Sequence, residues 1–172
     1  ALGLHHGVVA GFFAPRAGVR DARSGSAEFL YSVKTEQAGP VTFEILDGGG
    51  TVVRTLQGAA RAGHNRLTWD LRQDGPAQAE LRTIPPDNPH IWEEARFKGR
   101  ETRPILHWGI QNPQRMGPIV TPGQYSVRMT VGGQTLTRTL DVLKNPKIQT
   151  SASDMAAATA THLRIRDDIN RA

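Results

Sequence analysis

Several residue groups in this chain have the types from which catalytic sites are built. His64 and Asp70 lie close in sequence, a base and an orienting carboxylate by type. No Ser or Cys nucleophile stands beside them in a recognisable motif, so His64 reads as a turn residue and Asp70 as part of a strand edge. Asp87, Glu93 and Glu94 offer the paired carboxylates that glycoside cleavage uses. Consecutive helical residues diverge by about 100°, which places Glu93 and Glu94 poorly for sharing one bond, and they read as solvated charges. Asp47 beside Gly48-Gly49-Gly50 is one carboxylate where Ca²⁺ takes roughly six to eight oxygens. The glycine run also lacks the Lys-Ser/Thr pair and following helix of a phosphate loop. His5-His6, adjacent on an extended segment, would point to opposite faces. No catalytic, metal or cofactor constellation emerges from this set.

Aromatic residues leave two readings open. Trp92 and Trp108, with Tyr31, have the chemistry of a sugar-stacking platform. They equally suit anchoring of a neighbouring domain, because Trp is enriched at interfaces. Anchoring is the preferred reading.

The elements that must position these residues begin with Gly63-His64-Asn65-Arg66-Leu67-Thr68-Trp69-Asp70-Leu71-Arg72. Leu67, Trp69 and Leu71 alternate with polar residues, which predicts a strand with one apolar face and Trp69 as its largest anchor. Val8 to Phe13 predicts a first strand, and Arg16 to Ala27 a flexible connector. Phe29, Tyr31 and Val33 alternate, as do Val41, Phe43 and Ile45. Asp47 to Gly50 predicts a tight turn into a return strand over Thr51 to Leu56. Thr121-Pro122-Gly123-Gln124 has the order of a type II turn. Tyr125, Val127, Met129 and Val131 then alternate up to a Gly132-Gly133 hairpin loop, and Leu136, Leu140 and Val142 follow on the return strand.

About seven short strands with Gly and Pro punctuation predict a mainly β fold, an immunoglobulin-like β-sandwich. Residues 28–145 would form it, after an N-terminal strand and connector over residues 1–27. A long insertion, residues 73–120, is predicted to contain a short helix that opens at Pro89, ends near Gly99 and turns Ile91, Trp92 and Ala95 inward. Residues 146–172 predict a C-terminal helix starting at Ser151 or Ser153. Met155, Ala158, His162, Ile165 and Ile169 step by three and four along it. They form an apolar seam suited to an interface or to self-association.

Bulk properties narrow the function classes. The 172 residues suit one domain with an appendage. The formal charge of +5 is spread over scattered Arg rather than concentrated, which argues against nucleic-acid binding. There is no Cys, so there is no disulfide framework or thiolate site. No apolar run approaches the ~20 residues of a membrane span. Neither an initiator Met nor signal-peptide features stand at Ala1, which reads as a fragment or processed chain.

The order of these motifs resembles a known family. Phe13-Ala14-Pro15-Arg16, Phe29-Leu30-Tyr31, Gly39 to Asp47, Val52-Val53-Arg54-Thr55, Asn65 to Arg72, and Gly117-Pro118 through Pro122-Gly123-Gln124-Tyr125 to Met129 carry the likeness. Ser153-Asp154-Met155 and Leu163 to Asp167 continue it. They are similar to the C-terminal portion of bacterial sortilin-like, BNR-repeat (Vps10-type) glycosyl-hydrolase-like proteins. The pairing of Gly-x-Asn-x-x-x-Trp-Asp with Pro-Gly-x-Tyr-x-Val-Arg is also similar to the Ig-like domain of the flagellar hook-capping protein. In the sortilin-like, BNR-repeat family the propeller repeats carry a Ser-x-Asp-x-Gly-x-Thr-Trp box, and none occurs here. The resemblance therefore implies a non-catalytic accessory domain in a secreted or periplasmic protein, with an upstream β-propeller of the same polypeptide as partner. It casts Trp69, Asp70, Pro122, Gly123 and Tyr125 as a folding signature. Trp92, Trp108, Met155, His162, Ile165 and Ile169 are left as candidates for an interface, or for glycan stacking in a carbohydrate-binding module.

Overall fold

A computed structural model describes residues 9–21, 25–77, 80–104 and 116–171. The alternating stretches become strands because each has one face to bury and one to leave in water. They are β1 (Ala10–Phe12), β2 (Gly18–Arg20), β3 (Ala27–Val33), β4 (Val41–Leu46), β5 (Val52–Gly58), β6 (Gly63–Trp69), β7 (Glu80–Leu81), β8 (Arg103–Pro104), β9 (Gly123–Val131) and β10 (Gln134–Lys144). One α-helix, α1 (Ala152–Arg171), follows, and no helix among the described residues is long and apolar enough to cross a membrane.

Eight strands form two sheets, ordered β1-β3-β6 and β2-β10-β9-β4-β5, while β7 and β8 make a separate pair. β2 joins β10 in parallel, and the other pairings are antiparallel. The architecture is a β-sandwich whose core lies between the sheets. Phe12, Phe29 and Tyr31 from the three-stranded sheet meet Phe43 of the other at centroid distances of 5.6, 5.7 and 5.0 Å. Trp69 and Leu71 are fully buried in the same cluster as Tyr125, Val127 and Met129. Tyr31 is therefore a core residue, and the expectation that it joins an exposed stacking surface is corrected. Its hydroxyl donates to the Ala59 carbonyl at 2.7 Å, which satisfies the one polar atom that burial would otherwise strand.

Turn chemistry accounts for the connections. Asp47 Oδ1 accepts from the Gly49 and Thr51 amides, both at 2.9 Å, and closes the β4–β5 hairpin. Gly132 and Gly133 both take positive φ, +54° and +77°, as a two-residue hairpin loop requires. Gly123 does not make the expected type II turn. Its φ of +154° is far more extended than the roughly +80° of that turn, and β9 starts there.

Two further expectations change. The segment read as a flexible connector contains β2, which finds an open edge on β10 through Val142, Leu143 and Lys144. The helix expected from Pro89 to Gly99 contracts to a single 3-10 turn, Ile91–Glu93, because Glu94 is already extended at φ −62° and ψ 134°. Ile91 and Phe97 are buried there, whereas Ala95 is exposed. Gly99 has φ +76°, but the helical turn has already ended at Glu93, so it does not supply the expected stop.

α1 starts one residue after Ser151, as capping predicts. Ser151 Oγ accepts from the Asp154 amide at 3.1 Å and donates to Asp154 Oδ2 at 2.6 Å. The helix is tied to the sandwich along its length. Thr159 Oγ1 donates to the Ile119 carbonyl at 3.1 Å, and Asn170 Oδ1 accepts from the Ala77 amide at 2.6 Å.

Candidate functional site

Of the carboxylates considered for catalysis, Asp70, Glu93 and Glu94 each hold a partner of their own. Asp70 Oδ1 accepts from the Arg72 amide at 3.1 Å and shapes the end of β6. His64 is exposed, faces Ser32 across the ladder, and has its ring 6.0 Å from that of Phe13. Glu94 accepts from Asn88 Nδ2 and from Arg96 Nε, each at 2.6 Å. The Arg96 hydrogen bond, reinforced by Asn88, holds its carboxyl below the ordinary carboxylate value. A general acid needs the opposite shift. Glu93 turns instead to His90 Nδ1 at 3.5 Å, so the two neighbouring carboxylates serve different partners.

The interface candidates separate. Trp69 is buried, with its indole Nε1 donating to the Arg72 carbonyl at 2.8 Å. Tyr125 is buried with its hydroxyl on the Thr121 carbonyl at 2.8 Å, and burial pushes its phenol above the ordinary value. Trp92 is half-buried next to buried Ile91. Trp108 lies outside the described residues, as do His5 and His6. Met155, expected as interface surface, is buried within the chain itself and so belongs to the attachment of α1. His162, Ile165 and Ile169 are exposed, and these three are brought together.

They line a groove of about 440 Å³ between α1 and the segment that leads into β9. Ala158, His162, Ile165 and Ile169 form the helical side. Met116, Pro118 and Ile119 form the other, with Pro76 beside them. Three apolar side chains remain in water here: Met116 at 56%, Ile165 at 51% and Ile169 at 52% exposure. Arg20, Arg72 and Arg166 border the same space. Arg20 Nε donates to the Val120 carbonyl at 2.8 Å, and Arg72 Nη1 donates to the Gly117 carbonyl at 3.1 Å. Arg166 holds Asp167 at 2.7 Å and reaches the Asp74 carbonyl at 3.4 Å.

The segment opposite the helix is fixed by close backbone packing. Gln73 donates its amide to the Pro118 carbonyl, and Val120 donates to the Leu71 carbonyl, both at 2.9 Å. A Cβ on Gly117 would lie 2.0 Å from the Gln73 carbonyl oxygen, so glycine is required there. Leu71 itself takes φ +56°, a left-handed conformation costly for a Leu, and burial of its side chain holds it there. A second cleft of about 440 Å³ opens on the other side of α1, by Ala156, Ala160 and Leu163. Of its polar groups, Asp47 serves the β4–β5 turn and Tyr125 the core.

Arg20, Arg72, Met116 and Thr159 were not legible as site residues. Arg20 sat in an apparent connector, and Arg72 was one outward residue of an alternating strand. Neither position carries a local signal that its guanidinium reaches a carbonyl 100 or 45 residues away. A scan against protein-family models, a search of curated proteins and a search of solved structures each returned no match.

Proposed function

We propose that this chain is a non-catalytic, immunoglobulin-like accessory module that docks on a neighbouring domain or partner protein through the groove beside α1. Strand order supports the immunoglobulin-like reading: three strands face five, and β2 switches across to run parallel to β10. The Tyr125 hydroxyl bonded to the backbone at Thr121 is the arrangement known as a tyrosine corner, which that architecture uses. The observation that carries docking is the exposed apolar trio Met116, Ile165 and Ile169 in one groove. Scattered exposed apolar residues are ordinary, whereas a concave cluster is the form in which interaction sites occur.

The family likeness in sequence names an upstream β-propeller of the same polypeptide as the neighbour, in a secreted or periplasmic protein. Hydrogen exchange tests the reading. Amides of residues 158–169 are expected to exchange more slowly in the parent protein than in the isolated chain, and equal exchange overturns docking through this face. Hydrolysis of a glycoside by this chain, lost on one point substitution, overturns the non-catalytic part. Retardation by a polysaccharide that disappears with Trp92→Ala would establish the carbohydrate-binding alternative instead.

A further inference from the structure

We propose that the groove takes an acidic amphipathic segment of a partner polypeptide, its apolar side chains on the α1 stripe and its carboxylates against Arg20 and Arg72. This rests on the docking reading and adds the chemistry of the partner.

The apolar half of the argument is spacing. Ala158, His162, Ile165 and Ile169 advance by four, three and four residues, which keeps them on one face of α1. A partner with the same repeat would set its side chains along that stripe, as amphipathic helices do in grooves.

The charged half is a missing counter-charge. Among the described residues the groove lining includes three Arg and no Asp or Glu. Arg166 is balanced by Asp167, but neither Arg20 nor Arg72 belongs to a described ion pair. Each is held by a backbone carbonyl through one nitrogen, which orients the guanidinium and leaves further N–H donors of its five. An arginine fixed in place loses less side-chain entropy when a carboxylate arrives. Apolar surface edged by oriented, uncompensated cations complements a segment with apolar anchors and flanking carboxylates.

Two other occupants fit less well. A second copy would bring the same cationic edge to its own twofold mate, because a symmetric interface pairs a patch with itself. The nearby carboxylates it could offer are taken, Asp167 by Arg166 and Asp168 by Arg171. An anionic membrane is usually met by a cluster of about 4–8 basic residues, more than the two arginines without an ion pair among the described residues of the groove.

The test uses two synthetic amphipathic helical peptides, both with Leu at the repeat positions, one flanked by Glu and the other by Lys. The Glu peptide is expected to bind roughly tenfold or more tightly than the Lys peptide, since two partly screened ion pairs separate them. Its affinity falls with added salt, and that of the Lys peptide does not. An Ile165→Ser/Ile169→Ser variant, changed at half-exposed positions, loses both peptides while melting normally. Arg20→Gln/Arg72→Gln removes the preference; should that variant melt early, the salt series on the unchanged chain decides.

Equal binding of both peptides, lost in the Ile variant, overturns the acidic partner and leaves docking intact. Binding of neither overturns this inference, while the exchange experiment reports on docking separately. Binding to phosphatidylglycerol vesicles without binding to the Glu peptide overturns it in favour of a membrane. A dimer in sedimentation that the Ile variant abolishes overturns it in favour of a second copy.

Discussion

The indole of Trp69 and the phenol ring of Tyr125 meet edge to face, with 6.0 Å between centroids and 68° between planes. Trp69 ends β6 in one sheet, and Tyr125 lies near the start of β9 in the other. The contact therefore ties the two sheets at the end where α1 and the groove are built. Each ring also places its one polar atom on a nearby carbonyl, Arg72 for the indole and Thr121 for the phenol.

Trp69→Ala is expected to destabilise the chain by about 3–5 kcal/mol, the usual cost of emptying a large aromatic site. Chemical denaturation followed by far-UV circular dichroism measures it. A near-native, cooperative transition would show that the sheets do not depend on this anchor.

Tyr125→Phe keeps the ring contact and removes only the hydroxyl. Losing the 2.8 Å bond to the Thr121 carbonyl is expected to cost about 1 kcal/mol. A difference in unfolding midpoint between this variant and the unchanged chain reads it directly. No change would mean that water satisfies Thr121 equally well.

Alkaline pH is expected to destabilise the chain. Both of its tyrosines, Tyr31 and Tyr125, have phenols raised above 10.0, chiefly by burial. The folded state holds these protons more tightly than the unfolded state. Their contribution to stability is thus complete below about pH 10 and is lost as pH rises through the raised folded values. Tyrosinate absorbance and loss of circular dichroism are expected to rise together above pH 10. Ionisation completed well before unfolding would contradict the burial of these two rings.

Gly117→Ala forces a Cβ to within 2.0 Å of the Gln73 carbonyl oxygen. Backbone on both sides leaves little room to yield, and a loss of about 1–3 kcal/mol is expected. Gly48→Ala serves as control: nothing lies within 4 Å of that Cβ, and a change within about 0.5 kcal/mol is expected. Thermal melts of the pair check both, and equal melts would remove the close approach that fixes the wall of the groove.

The sequence by itself determined most of the sandwich strands and the helix. β3, β4, β6 and β9 follow from alternation, because a two-residue period on one segment decides which side chains leave water. The Gly132-Gly133 hairpin was equally legible, since it is settled within a few neighbouring residues, whereas the choice of Ser151 over Ser153 as the cap came from the structure. Trp69 and Tyr125 are buried, and Asp70 accepts from the Arg72 amide. Tertiary structure alone decided where the short or irregular segments went. β2 is a strand only because β10 offers an edge, and the expected helix at Pro89 yields to a 3-10 turn that buries Ile91. The groove was hidden for the same physical reason. Its cationic edge depends on Arg20 and Arg72 reaching carbonyls far along the chain, and its apolar wall on Thr159 seating α1 against Ile119. Periodicity reports which face of an element is apolar; only packing decides how much of that face stays open and which charges surround it.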